Sequence, residues 1–108
     1  MRMWHGVAPS RLCRQHLLGE HVEMHMFIGT LRKGRSIQGY IAKGLVVPHL
    51  IRIRHDALAT EMKRRGMQHN SPVPADFVPP PVQHHADPQH NRKDLITRCR
   101  HCRKLATP

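Results

Sequence analysis

An apolar stripe at helical spacing runs through the first third of the chain and constrains the fold more than any other feature. From Cys13 to Leu31 its members follow one another at steps of three and four residues, and only Glu20 interrupts their apolar character. That spacing places the stripe on one face of a helix, because an α-helix completes a turn about every 3.6 residues. We predict a helix that begins at a cap at Ser10 and ends at about Lys33, with Gly34 as the stop signal. The other members of the stripe are Leu17, Met24, Phe27 and Ile28.

Two further helices are predicted downstream. Pro48 suits a first helical turn, and a glycine after Arg65 suits the position beyond a last turn, so a second long helix should span 48–65. Asn91 can cap a shorter terminal helix that extends to about Lys104. Since no stretch has the alternating pattern of a strand, the fold class is expected to be all-α.

A proline-rich stretch separates the second helix from the terminal one. Residues 71–90 contain six prolines, three of them consecutive at 79–81, and no Lys or Arg. Proline lacks a backbone N–H and fixes φ, so this stretch should be extended, either wrapped over the helices or acting as a linker. We therefore predict one domain over 1–108: a helical core (1–70), an extended connection (71–90) and a basic C-terminal helix (91–108). The architecture is a small bundle of two long helices plus the C-terminal helix.

The chain is strongly basic. It carries 18 Lys and Arg against 7 Asp and Glu, a formal net charge of +11, which favours a nucleic acid as the partner. No apolar run exceeds three residues, which excludes a transmembrane helix and the apolar segment of a secretory signal. Three cysteines cannot close a disulfide framework, so a reducing cytoplasm is expected. The protein is also expected to be a monomer.

A short motif on the predicted first helix points to a family. The motif is Gln15-His16-Leu17 followed by Glu20 and Glu23. It resembles the phage endonuclease V-type pyrimidine dimer DNA glycosylases, whose first long helix carries Gln-His-Leu and then a glutamate pair. Their second long helix ends in a basic pair and a glycine, as Arg64-Arg65-Gly66 does here. The resemblance covers about residues 1–67.

The resemblance implies a DNA-repair enzyme: a glycosylase with an associated AP lyase step on damaged pyrimidines of double-stranded DNA. In that family the N-terminal α-amine attacks the sugar C1′ and forms an imine, and the glutamate carried onto Glu23 supports ring opening and β-elimination. An α-amine is partly neutral and nucleophilic near neutral pH, and a nearby carboxylate can move protons. Since a bulky second residue blocks removal of the initiator, the amine should belong to Met1, with Arg2 as the other candidate. The resemblance implies no cofactor for catalysis, and a location in the cytoplasm of a bacterial cell or phage host.

Basic residues of the irregular amino-terminal arm (residues 1–9), of the two long helices and of the C-terminal tail (91–108) are expected to contact the DNA backbone. Val22 and Met26 stand where the family carries arginines, which favours an alternative: a non-catalytic nucleic-acid-binding protein on the same fold, with or without a stabilising zinc. Trp4 could stack on a base or anchor the arm in the core. The expected DNA contacts are Arg2, Arg11, Arg14, His16, Arg64, Arg65, Arg98, Arg100 and Arg103.

Two local pairs have the spacing of metal ligands. Cys99 and Cys102 form a Cys-x-x-Cys pair, and Cys13 with His16 forms a Cys-x-x-His pair on the first helix. Together they would complete a tetrahedral structural zinc site that pins the tail to that helix. The competing ligands are His84, His85, His90 and His101, and the alternative is three unrelated thiols with a basic tail that contacts DNA. A further i, i+4 histidine pair at 21 and 25 has no evident third ligand, so we interpret it as part of a polar face.

Overall fold

The fold is built from helices joined by turns and extended connections. The computed structural model describes residues 1–106, and within that range no strand is present. The predicted all-α class is therefore confirmed, while the last two residues of the predicted segment 91–108 lie outside the described residues. The helices are α1 (Arg14–Arg32), α2 (Gln38–Ala42), α3 (Ile51–Arg64), α4 (Pro88–Arg98) and α5 (Arg100–Ala106), with short 3-10 turns at Pro9–Arg11 and Pro48–Leu50.

The two long helices, α1 and α3, form the centre of the molecule. The predicted stripe of α1 is buried along most of its length, and it packs with the apolar face of α3 in one core. Burying an aliphatic or aromatic side chain of this size stabilises a fold by roughly 1.5–3 kcal/mol. Gly34 and Gly66 follow these helices with φ of 73° and 79°, a conformation that costs glycine little.

The start of α1 differs from the sequence prediction. Ser10 does not cap the helix, because it lies inside the separate turn Pro9–Arg11, which Leu12 closes by donating its N–H to the Pro9 carbonyl at 3.1 Å. Cys13, in an extended conformation, is the N-cap residue instead. This later start places Cys13 at the junction between the arm and the helix.

The terminal helix also differs from the prediction, in its start and in its continuity. It begins at Pro88, because the Asp87 side chain accepts a hydrogen bond from the Gln89 N–H at 2.9 Å and so caps the first turn. Asn91 is inside the helix and is 2% exposed. An extended residue, Cys99, then separates α4 from α5, so the predicted single helix is two.

The proline-rich connection lies against the helices. Val73 and Phe77 are buried in the core. Arg52 of α3 donates hydrogen bonds to the carbonyl oxygens of Pro74, at 2.9 Å, and of Phe77. Further along, the Ala86 carbonyl accepts a hydrogen bond from His5 at 3.0 Å. Of the two sequence interpretations, these contacts favour a segment that wraps over the helices.

The one acidic member of the apolar stripe is part of a buried ion pair. Glu20 on α1 accepts two hydrogen bonds from Arg54 on α3, at 2.6 and 2.9 Å. The same guanidinium donates to the Val7 carbonyl at 2.8 Å. The pair therefore ties the amino-terminal arm to both long helices.

Candidate active site

The amino-terminal arm folds back onto the helices and is held there by residues far away in sequence. Met3 donates its N–H to the Leu45 carbonyl at 2.7 Å. The buried amide of Asn91, on α4, donates to the Met3 carbonyl and accepts from the Gly6 N–H, both at 2.9 Å. At Gly6 a Cβ atom would lie 1.9 Å from the Pro88 carbonyl oxygen, so only glycine allows the arm to approach α4 this closely.

This arrangement brings the chain's first residue and the predicted acid of α1 into the same cleft. Met1 and Glu23 both line a cleft of about 540 Å³, which we call the Met1–Glu23 cleft. A volume of that size lies within the range of small-molecule sites, about 300–1,000 Å³. The other lining residues are Arg2, Trp4, Gln15, His16, Gly19, Glu20, Leu45 and Arg98.

Two arginines give the cleft a positive wall beside the Glu23 carboxylate. The Arg2 guanidinium lies 3.9 Å from the centre of the Trp4 ring and pairs with Asp94 of α4 at 3.5 Å. Burial, and next the positive charge of Arg98, lower the pKa of Arg2, whereas Asp94 and Glu23 act in the opposite direction. The cleft thus combines cations suited to phosphate with one carboxylate suited to proton transfer.

A family model described as pyrimidine dimer DNA glycosylase matches residues 1–75. The chain belongs to the pyrimidine dimer DNA glycosylase family. The match includes the arm, α1 and α3, and therefore both Met1 and Glu23. No curated protein and no solved structure gives a match. DNA is the substrate class that membership in a glycosylase family implies, and no helix among residues 1–106 is long and apolar enough to cross a membrane.

The cleft contains only some of the residues that we predict to contact DNA. Arg2, His16 and Arg98 line it, whereas the other predicted contacts do not. Trp4 is 5% exposed and covered by Arg2, which agrees with an aromatic that anchors the arm in the core. Gly19 also lines the cleft, and a Cβ there would meet no atom within 4 Å.

The basic pair at the end of α3 is engaged in hydrogen bonds within the protein. Arg65 donates to Glu61 at 2.6 Å and to the Leu12 carbonyl at 2.7 Å, and its side chain is 19% exposed. Arg64 also bonds Glu61 but is 65% exposed. Hydrogen bonds from Arg64, and then from Arg65, lower the pKa of Glu61 to about 2 despite its burial. Arg65 therefore supports the arm, and Arg64 is the member of the pair that a phosphate can reach.

The basic residues around the tail differ in their surroundings. Arg11 donates to the Leu105 carbonyl at 2.8 Å, and Arg103 donates to the Ile96 carbonyl at 2.6 Å. Both side chains lie at the surface, as do those of Arg14 and Arg100. These residues surround the ends of α1 and α5 rather than the Met1–Glu23 cleft.

The four predicted zinc ligands converge at the junction between the arm, α1 and the tail. Cys13 Sγ lies 3.3 Å from His16 Nδ1 and 3.9 Å from Cys99 Sγ, and Cys102 Sγ lies 3.6 Å from the same ring nitrogen. Zn–S bonds of about 2.3 Å and Zn–N bonds of about 2.0 Å at tetrahedral angles imply ligand separations of about 3.5–3.8 Å. The extended conformation at Cys99 lets both tail thiols face Cys13, and we call these four residues the cysteine–histidine cluster.

A second group of side chains with metal-ligand chemistry was missed by the sequence prediction. His21 and His25 of α1 meet His55 of α3 and His69 from the connection beyond it. The interpretation of His21 as a polar-face residue was wrong, because it is 7% exposed. Burial, and then the neighbouring histidines, lower its pKa to about 4. Its two partners at 55 and 69 are isolated in the sequence, so no local spacing marks them.

Proposed function

We propose that this chain excises damaged pyrimidines from double-stranded DNA and then cleaves the strand through an imine on the Met1 α-amine. The observation that carries the proposal is the placement of Met1 and Glu23 in one cleft. Membership in the pyrimidine dimer DNA glycosylase family supplies the substrate class.

The proposed reaction uses the amine as nucleophile and Glu23 as the group that moves protons. The amine attacks C1′, the C1′–base bond breaks, and the base leaves with the bonding electrons and takes up a proton. The nitrogen lone pair then forms the C=N bond as the C1′–O4′ bond breaks and O4′ takes up a proton, which opens the sugar ring and gives a protonated imine that the Glu23 carboxylate stabilises. Loss of the C2′ proton then expels the 3′ phosphate by β-elimination, and hydrolysis of the imine frees the enzyme.

The two arginines of the cleft have a different task. Arg98, whose side chain is exposed, would hold a phosphate beside the damaged nucleotide, because a guanidinium forms strong charge-assisted hydrogen bonds with phosphate oxygens. Arg2, which is 12% exposed and paired with Asp94, would add positive charge to the cleft wall. Chemistry at C1′ requires the damaged site to leave the base stack or to be opened, and a phosphate contact beside it helps to offset that cost.

Borohydride trapping tests the nucleophile directly. An oligonucleotide duplex with one abasic site is mixed with the protein and reduced, and the adduct is mapped by peptide mass spectrometry. We expect a covalent adduct on the α-amine of Met1. An adduct on a lysine, or none from folded protein that binds the duplex, would overturn the proposal.

The first prediction concerns Glu23. The substitution Glu23→Gln keeps the shape of the side chain but removes its charge and its ability to accept a proton. We expect the single-turnover rate of strand cleavage at an abasic site to fall by about 10²–10⁴-fold, with duplex affinity changed little. Asp76→Asn is the matched control, because Asp76 is an exposed acid that pairs with Arg32. Equal rates in the two variants would exclude Glu23 from the chemistry.

A non-catalytic DNA-binding protein on the same fold is the second candidate function. Val22 and Met26, which replace arginines expected from the resemblance, are 55% and 50% exposed beside Glu23 on α1. This candidate predicts duplex binding without any borohydride adduct. The trapping experiment therefore separates the two functions in a single measurement.

The second prediction concerns metal at the cysteine–histidine cluster, which we propose as a structural zinc site. Three thiolates and one imidazole are a typical structural zinc set. Zinc at about 100 times its dissociation constant stabilises a folded protein by about 2.7 kcal/mol. We expect a chelator to lower the melting temperature of the purified protein and Cys99→Ser/Cys102→Ser to lose one zinc per chain. An unchanged zinc content in that variant would refute the site.

A further inference from the structure

Four imidazoles from three separate parts of the chain converge at one side of the α1–α3 pair. His25 Nε2 lies 3.0 Å from His55 Nε2, and His69 Nε2 lies 2.9 Å from His21 Nε2. One nitrogen from each ring lies within 4.8 Å of all the others. His21 and His55 are buried, at 7% and 1% exposure, so the group is built into the interior rather than scattered over the surface.

Hydrogen bonding alone cannot satisfy this arrangement. The Ser71 carbonyl oxygen lies 2.8 Å from His25 Nε2 and 3.1 Å from His55 Nε2, while these two nitrogens are 3.0 Å apart. If both nitrogens carry hydrogens for Ser71, the contact between them has no acceptor. If one lacks a hydrogen, its lone pair faces the lone pairs of the carbonyl. At least one contact is therefore unfavourable unless a cation accepts the lone pairs.

An outer residue fixes which nitrogen of His55 faces the others. Asp56 Oδ1 lies 2.9 Å from His55 Nδ1, and an ionised carboxylate can only accept, so Nδ1 carries the hydrogen. In the neutral imidazole, Nε2 then directs its lone pair into the group. A histidine that ligates a metal usually donates its other N–H to a carboxylate or carbonyl in this way.

We propose that His21, His25, His55 and His69 bind a divalent transition-metal ion, and we call them the four-histidine site. Four Zn–N bonds of about 2.0–2.1 Å at tetrahedral angles separate the nitrogens by about 3.3 Å, which lies between the shortest separations here, 2.9 and 3.0 Å, and the limit of 4.8 Å that encloses all four. Nitrogen donors without a carboxylate favour zinc, copper or nickel over magnesium and calcium. Zinc is the ion to which we assign the site, because it is four-coordinate and tetrahedral in structural sites and binds imidazole nitrogen.

The four-histidine site would be structural and separate from the proposed chemistry. None of its ligands lines the Met1–Glu23 cleft. The site instead joins α1 and α3 to the chain that leaves α3, where His69 lies just before the proline-rich connection and Ser71 begins it. The inference does not depend on the proposed function, because metal binding is measured without DNA.

Cobalt and zinc binding test the site in a background that lacks the other cluster. In Cys99→Ser/Cys102→Ser protein we expect one zinc per chain, and Co²⁺ should give visible tetrahedral bands without thiolate-to-cobalt charge transfer. His25→Gln/His69→Gln in the same background should lose both. His84→Gln/His85→Gln is the matched control, because these histidines belong to neither cluster. No metal in the background protein, or equal metal in both histidine variants, would overturn the proposal.

A single surface substitution gives a second, milder test. Asp56→Asn weakens the contact that orients His55 and leaves all four ligands unsubstituted. Because Asp56 is exposed, the fold should be retained. We expect the zinc affinity to fall by about 10–100-fold, whereas Asp76→Asn should leave it unchanged. If the cysteine background does not fold, the same comparison is made in the unaltered chain: His25→Gln/His69→Gln should bind one zinc fewer. An equal zinc content there would refute the site.

Discussion

At the scale of single residues, the two glutamates of α1 have different tasks although they lie one turn apart. Glu20 is 1% exposed and bonded to Arg54, whereas Glu23 is half-buried on the wall of the cleft. A buried carboxylate that is paired with a guanidinium is poorly suited to exchange protons with a substrate. The proposed chemistry therefore belongs to Glu23, and Glu20 holds the arm and helices together.

The third prediction follows from that pair. Glu20→Gln leaves the Arg54 charge buried without its partner, which typically costs about 3–5 kcal/mol. Urea denaturation should show this loss in the free energy of unfolding. Replacing both residues, as Glu20→Met/Arg54→Met, should cost less than the single change, since no buried charge remains. A single variant as stable as the unaltered protein would show that the pair contributes nothing.

The sequence was informative at this scale wherever the partners are close along the chain. The pairs Cys13/His16 and Cys99/Cys102 are visible as local spacing, and Glu23 follows from a local motif. No local spacing identifies His55 and His69 as partners of the histidines on α1, because they approach that helix only when α3 packs on it. Likewise Glu20 is recognisable as a polar break in an apolar stripe, but its partner Arg54 is not.

At the scale of elements, the arm depends on the close approach of Gly6 to α4. The fourth prediction compares two glycines. Gly6→Ala should destabilise the protein, because its Cβ would lie 1.9 Å from a backbone oxygen that cannot move without displacing α4. Gly29→Ala in α1 meets nothing within 4 Å and should stabilise the helix by up to about 1 kcal/mol. Thermal melts of both variants measure the contrast, and equal melting temperatures would contradict it.

Helix centres were predictable from periodicity, whereas helix ends required tertiary information. The core positions of α1 and the glycines that end α1 and α3 follow from local chemistry. The N-cap of α1 is Cys13 and not the predicted Ser10, because the residues before the helix form the separate turn Pro9–Arg11. The break at Cys99 places the thiols of Cys99 and Cys102 opposite Cys13. Helix propensity does not predict this break, because it depends on contacts between the tail and α1.

At the scale of the whole molecule, the net charge of +11 predicts an affinity for DNA that falls as the salt concentration rises. Each phosphate contact contributes about 0.9 to the slope of log K against log salt concentration. The exposed apolar residues Val22 and Met26 lie on the helix that carries Glu23, so this face presents apolar surface at the positions where the family resemblance implies arginines.

The fifth prediction adds that cation. Val22→Arg should tighten duplex binding at low salt and steepen the slope by about 0.9, measured by fluorescence anisotropy across a salt series. Val22→Gln is the control, since it changes size and polarity without charge. A slope identical in the two variants would show that this face of α1 lies away from the duplex.

The family match ends at residue 75, yet α4, from Pro88 onwards, holds the first residues of the chain through Asn91 and Asp94 and contributes Arg98 to the cleft. The position of the proposed nucleophile therefore depends on α4, a helix that lies outside the residues matched by the family model. A protein shortened to the matched residues would lack Asn91, Asp94 and Arg98, and with them the contacts that hold the first residues beside Glu23. Substitutions in α4 are therefore expected to shift the position of the amine even when residues 1–75 are unchanged.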